Sequence, residues 1–272
     1  MAYLETVRGK IYYEIHGDGA ETLLILNGIM MSSSSWGPFV ETLKEHTKVV
    51  LMDFYDQGKS TYLDGPYDQT LQVEAVKDVV AFLALKNFTL LGISYGGEIA
   101  MQFAAENSEC LKQLILANTT DYTDLQLKAI GDNWVHAAET CDGGKFFKAT
   151  IPTIYSRAFY EAHKEWLDAR EVMFSNLFKK PWYDGFMRLV VSAETHDARE
   201  VLNQISVPTL IIGADGDLIT PIDRQESLSK AIKNSELVVI KDCGHASMYE
   251  KPNAFFALVI GFMKFGGKTF TI

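Results

Sequence analysis

Cysteine is scarce in this chain. There are three in 272 residues, at Cys110, Cys141 and Cys243. An odd, widely spaced set builds no disulfide framework and fits a reducing compartment, so a cytoplasmic location is expected. Basic charge is also short: 25 lysines and arginines stand against 35 aspartates and glutamates, a formal net charge of −10. Without a basic face to neutralise phosphates, no nucleic-acid partner is expected, and anionic membrane is disfavoured for the same reason. Long apolar runs are missing as well. The longest, Ala254 to Met263, falls short of the roughly 20 residues a membrane helix needs. The opening residues Met1-Ala2-Tyr3-Leu4-Glu5 lack a basic stretch followed by an apolar one, so no secretory signal is read there. No G-x-G-x-x-G spacing follows any strand candidate, which speaks against a dinucleotide site.

What is present is ample material for a core. Residues are 47% hydrophobic and 22% charged, which suits one domain or one domain with an insertion. Short apolar runs read as strands at residues 10–16, 22–26, 48–52, 88–93, 111–117, 208–213 and 237–241. Helical patterns run over residues 69–85, 95–106, 222–232 and 252–264. In the first of these, Val73, Val76, Val79, Val80 and Leu83 recur at helical spacing. Alternating strands and helices imply a mostly parallel sheet with helices on both faces. The first two strands follow each other without a helix, which suggests an antiparallel edge. The alternation breaks between Thr119 and Ala198. That stretch reads as helices only and holds Trp134, Trp166 and Trp182, three of the four tryptophans. It is expected to be an insertion over one end of the sheet, its aromatics forming a small core of their own and a minority lining a pocket.

One stretch carries chemistry. Gly92-Ile93-Ser94-Tyr95-Gly96 follows the apolar run 88–91 and precedes a good helix. That context places Ser94 on a sharp strand-to-helix turn with its hydroxyl lifted clear of the backbone. The flanking glycines are needed because the turn crowds backbone against backbone. A serine hydroxyl is a weak nucleophile until a base takes its proton. In open parallel sheets such groups gather beyond the C-terminal ends of strands. After the last strand comes Asp242-Cys243-Gly244-His245, and His245 is the base candidate; His196, at the far end of the insertion, is the runner-up. After the strand at 208–213 come Asp215 and Asp217. Asp217 is favoured, because Pro221 starts the next helix and leaves Asp217 in the strand-end loop.

Two phosphate-loop look-alikes fail. Gly266-Gly267-Lys268-Thr269 has Phe262 where a glycine is required, and Gln57-Gly58-Lys59-Ser60 has Asp53 there. The spaced oxygen ligands and terminal glutamate of a calcium loop are absent around Asp215 and Asp217. No cofactor and no metal site is implied.

The order Ser94, Asp217, His245 resembles that of the α/β-hydrolases over nearly the whole chain. Residues 26–36, beginning Leu26-Asn27-Gly28-Ile29, look like that family's oxyanion loop after the third strand. Asp53-Phe54-Tyr55-Asp56-Gln57-Gly58-Lys59-Ser60 resembles its fourth-strand loop. Two positions depart from the family pattern: Asn27 replaces a usual histidine, and Tyr55-Asp56 replaces an Arg-Gly pair. The resemblance implies an α/β-hydrolase core at 1–118 and 199–272, with a helical cap at 119–198. It also implies an oxyanion hole made by the backbone N–H groups of Ile29 and Tyr95. Their side chains would point elsewhere, and Ile29, Met30 and Met31 would make the pocket mouth apolar.

On this reading the chain is a serine hydrolase of a small carboxylic ester, thioester or lactone, acting on a substrate with an apolar acyl or aromatic part. A monomer or homodimer is expected. The rate should fall below about pH 6.5, where a free histidine protonates. Acyl transfer, cofactor-free carbon–carbon cleavage or perhydrolysis on the same triad are alternatives, as is a ligand-binding protein with little turnover. Arg157, Arg170 and Arg188 of the insertion either bind a substrate carboxylate or face solvent.

Overall fold

Eight strands form one sheet in the computed structural model, which describes residues 2–267. Lys268 and Thr269 of the Gly266-Gly267-Lys268-Thr269 look-alike lie outside the described residues. The first half of the chain runs β1 (Ala2–Thr6), β2 (Gly9–His16), β3 (Thr22–Leu26), α1 (Gly37–Lys44), β4 (Lys48–Met52), α2 (Thr70–Phe82), β5 (Phe88–Ile93), α3 (Tyr95–Asn107) and β6 (Leu111–Ala117). Five helices follow: α4 (Leu125–Glu139), α5 (Gly143–Ile154), α6 (Arg157–Ala162), α7 (Lys164–Leu177) and α8 (Lys180–Ala193). The chain then returns through β7 (Thr209–Ala214), α9 (Ile222–Ala231), β8 (Ser235–Ile240), α10 (Ser247–Glu250) and α11 (Pro252–Phe265).

The sheet order is β1-β2-β4-β3-β5-β6-β7-β8. Strands β3 to β8 pair in parallel, while β2 runs antiparallel to both β1 and β4. The antiparallel edge is present, but β2 pairs with β4 rather than with its sequence neighbour β3. Strand β1 is absent from the sequence reading. It is an edge strand in which Leu4 alone is buried, so it carries almost no apolar alternation.

The central strands are apolar on both faces because both faces are covered. Leu24, Leu90 and Leu114 point into one core with Val73, Val76 and Val79 of α2 and Ile99 and Phe103 of α3. Leu23, Ile25, Leu91 and Ile115 point the other way, against Trp36, Val40 and Leu43 and against Phe255, Val259 and Phe262 of α11. Burying each such side chain stabilises the fold by about 1.5–3 kcal/mol. Helix α2 stops short of its sequence prediction, because Ala84 turns left-handed at φ 49°. Helices α4 to α8 fill the interval between β6 and β7, an insertion consistent with a cap. Their own cluster includes Trp134, Phe146, Phe174, Tyr183 and Phe186. Among the described residues, no helix is long and apolar enough to cross a membrane.

Candidate active site

Three strand ends converge at the C-terminal edge of the sheet. Ser94 follows β5 directly, Asp217 stands three residues past β7, and His245 stands five past β8. The Ser94 backbone is held at φ 52°, ψ −121°, a conformation that a non-glycine residue adopts only under constraint. The constraint is visible in its neighbours. A Cβ on Gly92 would sit 2.4 Å from the Gly96 carbonyl oxygen, and one on Gly96 would sit 2.3 Å from the Leu26 carbonyl oxygen. Strand β3, strand β5 and helix α3 therefore close on one another only because both positions lack a side chain.

Ser94 Oγ lies 2.9 Å from His245 Nε2. His245 Nδ1 lies 2.8 Å from Asp217 Oδ2 and 3.0 Å from Oδ1. With Nδ1–H donating to the carboxylate, Nε2 is left to accept the Ser94 hydroxyl proton. Asp217 is buried, and burial alone would raise its pKa. His245, the Thr220 N–H and the Asn118 amide outweigh that and hold the carboxyl below its ordinary value. Its oxygens accept from the Ile219 and Thr220 N–H groups at 2.9 Å each, from Thr220 Oγ1 at 2.9 Å and from Asn118 Nδ2 at 3.0 Å. Asp215 turns outward instead, with Lys241 Nζ at 3.7 Å. His196 is remote from this line. Its Nε2 donates to the Thr120 carbonyl at 3.1 Å and its Nδ1 faces the Gln102 amide at 3.3 Å.

Tyr95 follows Ser94 directly and Ile29 lines the same cavity wall as Ser94, and neither backbone N–H donates to a protein acceptor among the described residues. Asn27 does the anchoring at the start of this loop. Its Nδ2 donates to the Met52 carbonyl at 2.7 Å, and its Oδ1 accepts from Trp36 Nε1 at 2.8 Å. Gln57 acts from the neighbouring loop, its Nε2 donating to the Gly28 carbonyl at 2.9 Å. In a trans peptide the C=O and the following N–H point in opposite directions. Fixing the Gly28 carbonyl against Gln57 therefore fixes which way the Ile29 N–H points.

The Tyr55-Asp56 departure is also accounted for. Asp56 takes φ 67°, a left-handed value that asparagine and aspartate tolerate better than most residues. Its buried carboxylate receives a two-pronged ion pair from Arg188 of α8, with Nη2 at 2.6 Å and Nε at 2.9 Å. Arg188 thus ties α8 to the sheet rather than facing a substrate. Arg157 is exposed and pairs with Glu161. Arg170 differs from both. It lines the large cavity above Ser94, lies over the Trp166 ring at 3.9 Å, and its buried Nε has no hydrogen-bond partner.

That cavity measures about 550 Å³. Its wall includes Ser94, His245, Ile29, Met30, Tyr155 and Trp182, and it contains no aspartate or glutamate. Among the described residues, no cluster of three or more His, Cys, Asp or Glu side chains could hold a metal ion.

Three residues around the site escaped the sequence reading. Asn118 is the first residue past β6, and its position at a strand end was a usable signal. Gln57 touches a carbonyl 29 residues away, and nothing local announces that. Glu98, one helical turn after Ser94, is buried with its Oε2 at 2.5 Å from Gln69 Nε2. Burial pushes its carboxyl up to about 8, against the smaller opposing effect of the Gln69 hydrogen bond.

Comparison with known proteins agrees with this geometry. A family model described as the alpha/beta hydrolase fold matches residues 21–252. In structure the chain resembles MGS-M2, an alpha/beta hydrolase enzyme from a Medee basin deep-sea metagenome library. The TM-score is 0.96, at 40% identity over 100% of both chains. RutD of Agrobacterium fabrum (strain C58), provisionally named a carbamate hydrolase, is 25% identical over 93% of this chain and 98% of its own length. The 2-hydroxy-6-oxononadienedioate/2-hydroxy-6-oxononatrienedioate hydrolase 2 of Pseudomonas putida is 26% identical over 94% of this chain and 92% of its own length. From fold, site and relatives together, this chain belongs to the alpha/beta hydrolase family.

Proposed function

We propose that this alpha/beta hydrolase is a serine hydrolase that cleaves a small carboxylic ester, thioester or lactone through an acyl-enzyme. The observation that carries the reading is the unbroken line from Ser94 Oγ through His245 to Asp217, with contacts of 2.9 and 2.8 Å. His245 Nε2 takes the Ser94 proton as Oγ attacks the carbonyl carbon. Asp217 holds the Nδ1–H tautomer and stabilises the imidazolium that forms. The Ile29 and Tyr95 N–H groups receive the oxyanion, each such donor contributing about 3 kcal/mol to the transition state. His245 then protonates the departing oxygen or sulfur. Water enters, gives its proton to His245 and releases the acid from Ser94.

The apolar wall of the large cavity suits a substrate with an apolar or aromatic part. Residues 119–198 serve as the cap over a core built from 1–118 and 199–272. Acyl transfer, carbon–carbon cleavage and perhydrolysis would use the same three side chains, and products formed with and without an added alcohol or thiol separate them.

The test is reaction with a fluorophosphonate probe followed by mass mapping. Ser94 should carry the label, and Ser94→Ala should lose both label and ester turnover while keeping its melting temperature. Full turnover in Ser94→Ala refutes the mechanism.

A further inference from the structure

A second, much smaller cavity of about 60 Å³ also touches Ser94. It lies between α3, α4 and α8. Ile29, Ser94 and Trp134 line both cavities, but Tyr95 and Glu98 line only the small one and His245 lines only the large one. Exposed Lys128, ion-paired with Glu194 at 2.8 Å, stands on its solvent side.

This division assigns the parts of a substrate, given the serine-hydrolase reading above, on which the inference rests. A tetrahedral intermediate on Ser94 has four arms. One is Oγ itself, and one is the oxyanion, turned to the Ile29 and Tyr95 N–H groups. The third is the departing heteroatom, which must reach His245 Nε2 for its proton and so lies on the large-cavity side. The water of deacylation must reach the same nitrogen and comes from the same side. The fourth arm is the carbon substituent of the carbonyl. We propose that the small cavity is the acyl subsite, and that the substrate is a short-acyl ester or thioester whose bulky apolar alcohol or thiol fills the large cavity. A volume of about 60 Å³ holds only a few groups the size of a water molecule. Leu127 and Ile130 of α4 set its length.

Its buried polar group is Glu98. One carboxyl oxygen is taken by Gln69 Nε2. Glu98 lines the cavity, and its carboxyl carries its proton near neutral pH, since burial pushes it up to about 8. It can therefore donate to an oxygen in the acyl chain, and an ether or hydroxyl oxygen there gains over a methylene.

The test is kcat/KM for 4-nitrophenyl esters from acetyl to octanoyl, with the intact protein. Turnover should fall by about tenfold or more between the best short ester and octanoyl. Leu127→Ala and Ile130→Ala each delete wall atoms and should raise the hexanoyl-to-acetyl ratio by about tenfold. The methoxyacetyl-to-butanoyl ratio should drop in Glu98→Leu and persist in Glu98→Gln, whose amide can still donate. A Ser94-dependent profile that is flat to octanoyl, or a ratio unmoved by both alanine variants, overturns the subsite and leaves the hydrolase reading standing. Ester turnover that survives Ser94→Ala overturns that reading instead.

Discussion

Glu98→Gln should change how the stability of this protein depends on pH, and the window can be worked from two buried groups. Glu98 rises from 4.5 to about 8 in the folded protein, because burial penalises its charged form. Between those values the folded state holds a proton that the unfolded state has lost, so stability falls as pH climbs from 4.5 to 8. His196 moves the other way, from 6.5 to about 4, again through burial. Its neutral form is the native one, so its contribution is present above 6.5 and is lost as pH falls through 4. From 4.5 to 6.5 the two slopes oppose each other. From 6.5 to 8 His196 is neutral in both states and Glu98 acts without that opposition. At 1.36 kcal/mol per unit, the 1.5 units in that window amount to about 2 kcal/mol. In a chain of this size that is a melting-temperature change of roughly 4–8 °C. Calorimetric melts of wild type and Glu98→Gln at pH 6.5 and 8.0 read it directly, since groups common to both proteins cancel in the difference. The wild type should lose several degrees relative to the variant. Parallel melting curves across that window would refute the assignment of a buried, protonated Glu98.

Gln57→Leu should leave the Gly28 carbonyl held by the Met31 N–H alone and loosen the orientation of the Ile29 N–H; kcat should drop by about tenfold with KM little changed, as steady-state kinetics with a short ester will show. Among the described residues Arg170 makes no ion pair, and its cavity wall holds no carboxylate, so a carboxylate-bearing apolar ligand such as 4-phenylbutyrate should outbind its amide by about tenfold, and Arg170→Gln should reduce that difference severalfold in a calorimetric titration. Arg188→Met strips the buried Asp56 carboxylate of its ion-pair partner, leaving it neutral donors such as the Leu63 N–H, and should cost about 3 kcal/mol in a denaturant melt.

The fold was legible where burial writes a strong pattern. Strands β3, β5 and β6 are rich in apolar residues and almost wholly buried, and their sequence-predicted bounds match the structure. Strand β1 was not legible, because an edge strand with one buried side chain needs no pattern. The row of strand ends was likewise readable in the candidate site: Ser94, Asp217 and His245 each follow an apolar run, and the structure brings these three together. The choice between Asp217 and Asp215 turned on two residues of loop, and the geometry sets Asp217 against His245 and Asp215 toward Lys241. Asn27 was legible only as a departure; its two hydrogen bonds reach residues 9 and 25 positions away.

The sequence by itself determined the sharp strand-to-helix turn at Ser94, because the steric demand for glycine at 92 and 96 and the helix start after Ser94 are local facts. It could not separate Arg157, Arg170 and Arg188. All three are arginines on insertion helices, and what each does depends on what packs opposite it. The pairing of Arg157 with Glu161 is a local contact one helical turn away, but only the tertiary structure sent Arg188 to the buried Asp56 and Arg170 into the wall of the large cavity. The division of space around Ser94 into a large and a small cavity is equally invisible in one dimension. It arises where α3 of the core meets α4 and α8 of the insertion, and packing of segments distant in the chain decides its volume.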